Sequence, residues 1–175
     1  MTLSEPSCGP APLGSAAVRL LPVRYDEPQV AVLVEEVQRV YVELYGGRDD
    51  TPTAPEQFAP PYGRFFLVCL DGEPAAIGGW RLRHDAGAAG LPGTRPAEVK
   101  RMFVRAPMRG RGLARAVLGA LESSARAEGV DWLVLETGDQ QPEAVGLYRS
   151  AGYTEVARFG LYACEAGSIY LGKRL

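Results

Sequence analysis

Apolar residues recur along the chain in two rhythms, and the switches between them mark out its elements. From Asp26 to Tyr45, Val30, Leu33, Val34, Val37, Val40, Tyr41, Leu44 and Tyr45 fall at steps of three and four, which is one face of a helix. Asp26 stands where an N-cap belongs, Pro28 suits a first turn, and Gly46-Gly47 ends the pattern. A second stripe of Leu113, Val117, Leu121 and Ala125 predicts a helix over 110–129. A third, shorter helix is expected in "QPEAVGLYRSAGY", with Pro142 near its start and Gly152 just past its end.

Between these stripes lie strand-like runs. "AAVRLLPVRY" comes first, and its Pro22 favours a sheet edge. "RFFLVCL" and "PAAIGGWRLR" flank "DGE", a hairpin signal. "AEVKRMFV" reads as a strand ending near Val104, "VDWLVLETG" as a buried strand, and the chain after Thr154 gives two more, the last being "SIYLGKRL". "RDDTPTAPEQFAPP" is a loop with one helical turn near 56–59, and "HDAGAAGLPGTRP" a Gly/Pro-rich connector. The order strand, helix, three strands, helix, strand, helix, two strands predicts an α/β (α+β) fold. Its mixed central sheet has about seven strands flanked by helices.

The opening "MTLSEPSCGPAPLGS" has no period and is rich in Pro, Gly and Ser. Residues 1–16 are therefore expected to be a flexible tail and 17–175 a single domain. Composition is globular, with 46% hydrophobic and 23% charged residues. The 19 Lys and Arg against 21 Asp and Glu, net −2, exclude the broad basic surface of a nucleic-acid binder. Cys8, Cys69 and Cys164 are too few and too scattered for a disulfide framework, and without a CxxC pair no metal is expected. Cys69 and Cys164 lie in strand-like apolar surroundings and are expected to be buried fillers. The N-terminus lacks a signal-peptide pattern and no apolar run would cross a bilayer, so the expectation is a cytoplasmic protein without a membrane partner.

Against this near-neutral background, "AEVKRMFVRAPMRGRGLARAV" concentrates Lys100, Arg101, Arg105, Arg109, Arg111 and Arg115. No acidic residue occurs from Val99 through Leu121. The run leads from a strand into the start of a helix, where unpaired N–H groups and the helix dipole favour an anion. Gly110 and Gly112 allow close approach and unusual dihedrals, while Arg109 and Arg111 add charge, so the expected ligand carries phosphate. A dinucleotide fingerprint would need glycine where Arg115 stands, and no GK[ST] ending supports a P-loop.

"VRAPMRGRGLA" resembles motif A of the GNAT N-acetyltransferase superfamily, [R/Q]-x-x-G-x-[G/A], at Arg109, Gly110, Arg111, Gly112, Leu113 and Ala114. "LVLETGDQQPEAVGLYRSAGY" is similar to that family's next strand and helix, ending in Leu147, Tyr148, Gly152 and Tyr153. The resemblance runs from about Val18 to Leu175 and implies acetyl-coenzyme A as donor, with no metal. It places the pyrophosphate on the N–H groups of Arg109 to Ala114 and the pantetheine arm along Met102, Phe103 and Val104. It also puts a splay between the fourth and fifth strands, Ala97–Val104 and Trp132–Thr137. Where many members carry Asn near the coenzyme, this chain has Gln141.

Acetyl transfer to an amine needs a neutral nucleophile and a proton for the departing thiolate. The resemblance implies direct attack and gives Tyr148 the acid role; the alternative is a core aromatic beside Leu147. A Ser-His-Asp triad would have to use His84, the single histidine. Glu98 and Glu136, in the strands bordering the cleft, are candidate water-mediated bases. The alternatives are an ion pair with Lys100 or Arg81 for Glu98, and recognition of a cationic substrate for Glu136. Trp80, Tyr62, Phe65, Tyr162 and the loop 48–61 are candidate linings of the acceptor pocket, unless the aromatics are core. The expected activity is N-acetylation of a primary amine on a small molecule or peptide, with a homodimer as the family habit. The alternative is a CoA-binding sensor or partner-binding module without turnover.

Overall fold

A computed structural model of the protein describes residues 17–83, 91 and 95–175. The tail 1–16, His84 and most of the connector around it lie outside the described residues. Strand β1 (Val18–Val23) leads into helix α1 (Pro28–Tyr45), and a short 3-10 turn at Pro55–Phe58 precedes the hairpin of β2 (Gly63–Leu70) and β3 (Glu73–Leu82). Then come β4 (Pro96–Val104), α2 (Leu113–Ala127), β5 (Trp132–Gly138), α3 (Pro142–Ser150), β6 (Thr154–Glu155) and β7 (Ser168–Arg174). The seven strands form one mixed sheet in the order β1-β2-β3-β4-β5-β7-β6. β1 is an edge strand, which leaves Pro22 without the ladder bond a central strand would need.

The periodic residues fall where their rhythm places them. Leu113, Val117, Leu121 and Ala125 are all buried and hold α2 against one face of the sheet, in a core shared with Trp80, Val99, Leu135 and Tyr148. Gly78 in β3 permits that closeness, since a Cβ there would lie 2.7 Å from Val117 Cγ1. On the opposite face Val30 and Leu33 of α1 pack with Phe58, Phe65, Leu67, Cys69 and Ile77. Gly46 ends α1 in the left-handed region at φ 76°, its N–H donating to Val42 O.

Some local expectations change. The residue capping α1 is Glu27, without a side-chain cap bond, because Asp26 is engaged by Arg24 at 2.7 Å. Helix α2 begins at Leu113, so Gly110 to Gly112 form its approach and not its first turn. Cys164 is exposed in the loop before β7 and not buried, whereas Cys69 is fully buried in β2. No helix among the described residues is long and apolar enough to cross a membrane.

Two irregularities position the site. β4 and β5 run parallel but pair only over Pro96↔Trp132, Ala97↔Leu133 and Glu98↔Val134; beyond that both strands continue and the sheet opens. In the same segment β4 carries a bulge, with a register shift against β3 between Ile77 and Gly79 and Arg101 at φ 57°. The extra residue turns Lys100 and Arg101 to the same face, while Val99 and Met102 keep to the other.

Candidate active site

The opening between β4 and β5 is a cleft of about 570 Å³. On the α2–α3 side its wall is Val99, Met102, Leu135, Ala144 and Tyr148. On the α1 side it is Tyr41, Asp49, Lys100, Arg101, Glu136 and Tyr162, with Gly167 and Ser168 from the start of β7. A side recess of about 190 Å³ shares Lys100, Glu136 and Tyr162 with the cleft and reaches Arg81, Glu98 and Phe159.

Asp49 organises the α1 side. Lys100 Nζ reaches its Oδ2 at 3.2 Å and Arg101 Nη1 pairs with the same oxygen. Tyr162 Oη donates to Oδ1 at 3.1 Å, and Thr51 N donates to Oδ1 at 2.9 Å. Gln38 of α1 brackets the Asp49 backbone, its Oε1 accepting from Asp49 N at 2.8 Å. Burial works to raise the Asp49 carboxyl, but Lys100 and Arg101, aided by Thr51, hold it well below the usual carboxylate range.

Glu98 is 4% exposed and enclosed by cations: Arg81 Nη2 at 3.1 Å, Arg83 Nη1 at 3.0 Å and Lys100 Nζ at 3.9 Å. This is the ion-pair arrangement. Glu136 is different. Among the described residues it has no ion pair, and it accepts a hydrogen bond from Ser168 Oγ to Oε1 at 2.8 Å. Burial pushes its carboxyl up, partly offset by Ser168 and by Lys100.

Across the opening, Tyr148 is 6% exposed and no described residue hydrogen-bonds to its hydroxyl. Burial pushes its phenol well above the ordinary value, and the Tyr41 phenol facing the cleft is pushed up for the same reason. Gln141, at the N-cap of α3, donates through Nε2 to Tyr45 Oη at 3.1 Å, linking the ends of α1 and α3 beside the cleft.

Beyond the splay, β4 passes through a 3-10 turn at Ala106–Met108 into the glycine loop. Gly110 and Gly112 take φ 74° and 77°, a region that side-chain-bearing residues rarely adopt, and open space surrounds both. The first helical bond of α2 is Ala116 N to Gly112 O at 3.0 Å, so the N–H groups of Gly112, Leu113, Ala114 and Arg115 have no intrahelical acceptor. The basic cluster does not act as one patch. Lys100 and Arg101 hold Asp49, Arg105 Nε donates to Glu36 Oε2 at 2.9 Å, and Arg115 donates to Ser150 Oγ at 2.8 Å. Arg109 and Arg111 remain exposed at the loop, with Arg109 Nε donating to Val104 O at 3.2 Å.

Of the other expected residues, Met102 and Gln141 line the cleft, as does Tyr162 on the acceptor side. Phe103 packs instead toward α1, and Val104 toward α2. Trp80 is corrected to a core residue: it is 0% exposed, its Nε1 donates to Ser124 Oγ at 2.8 Å, and it lines neither cavity. Phe65 is likewise buried, and Tyr62 is exposed outside both cavities. Asp49 and Tyr41 were not singled out from the sequence. The "GGRDD" run after α1 was the available signal for Asp49, and the four-residue spacing of Tyr41 and Tyr45 for the phenols.

Residues 33–153 match the Acetyltransferase (GNAT) family. The chain belongs to that family. As a GNAT protein it is an acyl-CoA-dependent N-acetyltransferase, and acetyl-CoA is the donor the family uses. An IAA acetyltransferase of Azospirillum brasilense is 32% identical over 146 residues, 83% of this chain and 90% of the relative. A Klebsiella pneumoniae structure provisionally assigned as an acyl-CoA N-acyltransferase superposes with a TM-score of 0.72 at 23% identity, covering 92% of this chain and 99% of that one. An aminoglycoside N-acetyltransferase solved in complex with CoA gives 0.62 at 15% identity, over 89% of this chain and 100% of that one. At these identities the two structures share the GNAT fold, and the split sheet described above is a feature of this chain's own strands.

Proposed function

We propose that residues 17–175 form one catalytic domain that moves the acetyl group of acetyl-coenzyme A to a primary amine of a small molecule or peptide. Transfer is by direct attack, with Tyr148 as acid and Glu136 as water-mediated base. The observation that carries this reading is the cleft through the split sheet, with a buried Tyr148 hydroxyl on one side and the Glu136 carboxyl on the other, neither of them ion-paired or bonded across the cleft among the described residues.

The chain fits the coenzyme. Four N–H groups at the start of α2 lack acceptors, and two glycines with positive φ leave room beside them, which suits a pyrophosphate held by Arg109 to Ala114. Past Glu98, the β4 edge around Met102 has no β5 partner and can pair with the pantetheine arm. When bound, the coenzyme supplies the acetyl thioester. Tyr148 holds a proton at Oη that its raised pKa keeps in place at neutral pH, ready for the leaving sulfur. Glu136 takes the proton of the incoming ammonium through water, and its raised pKa makes it a stronger base than a solvated carboxylate. The three cations around Glu98 suit it to holding β3 and β4 together, and we assign the base role to Glu136 instead.

Release of free thiol from acetyl-CoA with a panel of amines, and with IAA as the acceptor named for a relative, tests the reading. Turnover with an amine supports it; hydrolysis at the same rate with and without every acceptor overturns it. In parallel, CoA at a hundredfold over its dissociation constant should stabilise the protein by about 2.7 kcal/mol. Gly112→Val, which forces a β-branched residue into the left-handed region, should abolish that gain.

A further inference from the structure

Arg101 is not fully used by the protein. Its side chain is 3% exposed and lines the cleft, yet its Nε has no hydrogen-bond partner among the described residues. Nη1 pairs with Asp49 Oδ2, the oxygen that Lys100 Nζ also reaches. Two buried cations therefore meet at one carboxylate oxygen on the cleft wall, and the Nε edge of Arg101 is left over.

The described neighbours leave that edge open. Glu98 pairs with Lys100 at 3.9 Å and with Arg81 and Arg83, and not with Arg101. The Tyr25 hydroxyl, shared with Thr53 Oγ1 at 3.3 Å, lies against the guanidinium. Glu136 accepts from Ser168 and lies within electrostatic reach of Lys100, and Asp139 and Glu165 are exposed at the rim. Holding the 46–54 loop does not require the second cation either, since Lys100, Thr51, Gln38 and Tyr162 all bind Asp49. Arg101 is nonetheless brought to this face by a bulge that places a non-glycine residue at φ 57°, the kind of backbone strain that collects at ligand sites.

We propose that Arg101 receives a carboxylate on the acceptor, making the substrate a zwitterionic, amino-acid-like amine with its amine toward Glu136 and its carboxylate toward Arg101. A carboxylate would meet the open Nε edge of Arg101, and the planar fork of guanidinium suits it better than a point cation would. The proposal rests on the acetyl-transfer reading and narrows its substrate class.

The test pairs each of the common amino acids with its carboxamide, which keeps the amine and removes the negative charge. In thiol-release assays the carboxylate member should be favoured in kcat/KM by at least about tenfold, the scale of one charge-assisted hydrogen bond. The same pairs are compared by thermal shift with CoA present, a readout that needs no turnover. Arg101→Lys keeps a cation against Asp49 and removes the fork; Arg101→Gln removes the charge. Each should lose the preference for the carboxylate while circular dichroism and stabilisation by CoA show an intact fold. Equal turnover of carboxylate and amide, or a preference unchanged by both substitutions, overturns the proposal and leaves acetyl transfer standing. Carboxylate-selective binding lost in the Arg101 variants, without turnover of any amine, upholds the proposal and counts against acetyl transfer. Absence of both turnover and binding across the panel overturns it.

Discussion

On the α2–α3 side of the split sheet the cleft wall is mostly apolar, Val99, Met102, Leu135 and Ala144, with the Tyr148 hydroxyl set among them. On the α1 side the wall holds Asp49, Lys100, Arg101 and Tyr162, tied together by ion pairs and hydrogen bonds, with Glu136 held apart by Ser168. The apolar wall comes from residues already committed to the α2 core, and the groups that would hold the coenzyme there are backbone N–H groups and an open strand edge. Such a wall tolerates wide changes of sequence. The polar wall depends on side chains from distant segments meeting at one carboxylate, so single substitutions reach it directly.

The largest expected effect lies on the polar wall. Asp49→Ala leaves Lys100 and Arg101 without their shared partner in a buried setting and should cost about 3–5 kcal/mol. Urea unfolding would measure this, and a loss below about 1 kcal/mol would remove Asp49 as the organising group. Next comes the apolar wall. Tyr148→Phe changes one hydroxyl with no hydrogen-bond partner among the described residues, so folding should stay intact while kcat falls roughly 10²–10⁴-fold, with stabilisation by CoA retained. Wild-type turnover in that variant would return Tyr148 to a packing role.

pH separates the two carboxylates. Glu136 has a raised folded pKa, so it binds its proton more tightly in the native state, and it loses stability as pH rises between the unfolded value and the native one. Activity should rise over that same window as the base is unmasked, and Glu136→Gln should flatten this acid limb with a loss of about 10²-fold in kcat/KM. Asp49 has the opposite sign. Its folded pKa is depressed, so its stabilisation is complete above the unfolded value near 3.8 and is lost as pH falls below it. The smallest effect is expected for Ser168→Ala, which removes a hydrogen bond that lowers the Glu136 pKa. The acid limb should move slightly to higher pH, read from the kcat/KM profile.

The same contrast explains what could be read before the structure. The stripes of α1 and α2 and the Asp71-Gly72 hairpin are each written within a few consecutive residues, and each occurs where its pattern places it, although α2 begins at Leu113 and not at Gly110. Tyr148 was legible because its motif is local to α3. The acceptor wall was legible only in part: Tyr162, Glu136 and the loop 48–61 stood out, but not the joining role of Asp49 within that loop. Asp49 sits in a segment with no period, and its partners lie 51, 52 and 113 residues away along the chain. Tyr41 continues an apolar stripe and looks like core until the opposite strand is seen to stop pairing. Lys100 and Arg101 stood out as charge, but the bulge that turns both inward has no composition signal, so they were grouped with the glycine loop. Trp80 shows the reverse error: a large aromatic invites a pocket, yet Ser124 provides the one partner its indole needs inside the core.

The joining of Asp49 to Tyr162 across 113 residues bears on how the molecule assembles. Contacts between such remote stretches form only after the intervening chain has been drawn in, and ring-closure entropy delays them relative to hairpins and helices. The β2–β3 hairpin and α2 can take shape from neighbouring residues, but the corner where the acceptor is expected to dock must wait for loop 156–167 to come home. Recognition of the second substrate would then be among the last properties this polypeptide acquires during refolding, after its coenzyme turn has formed.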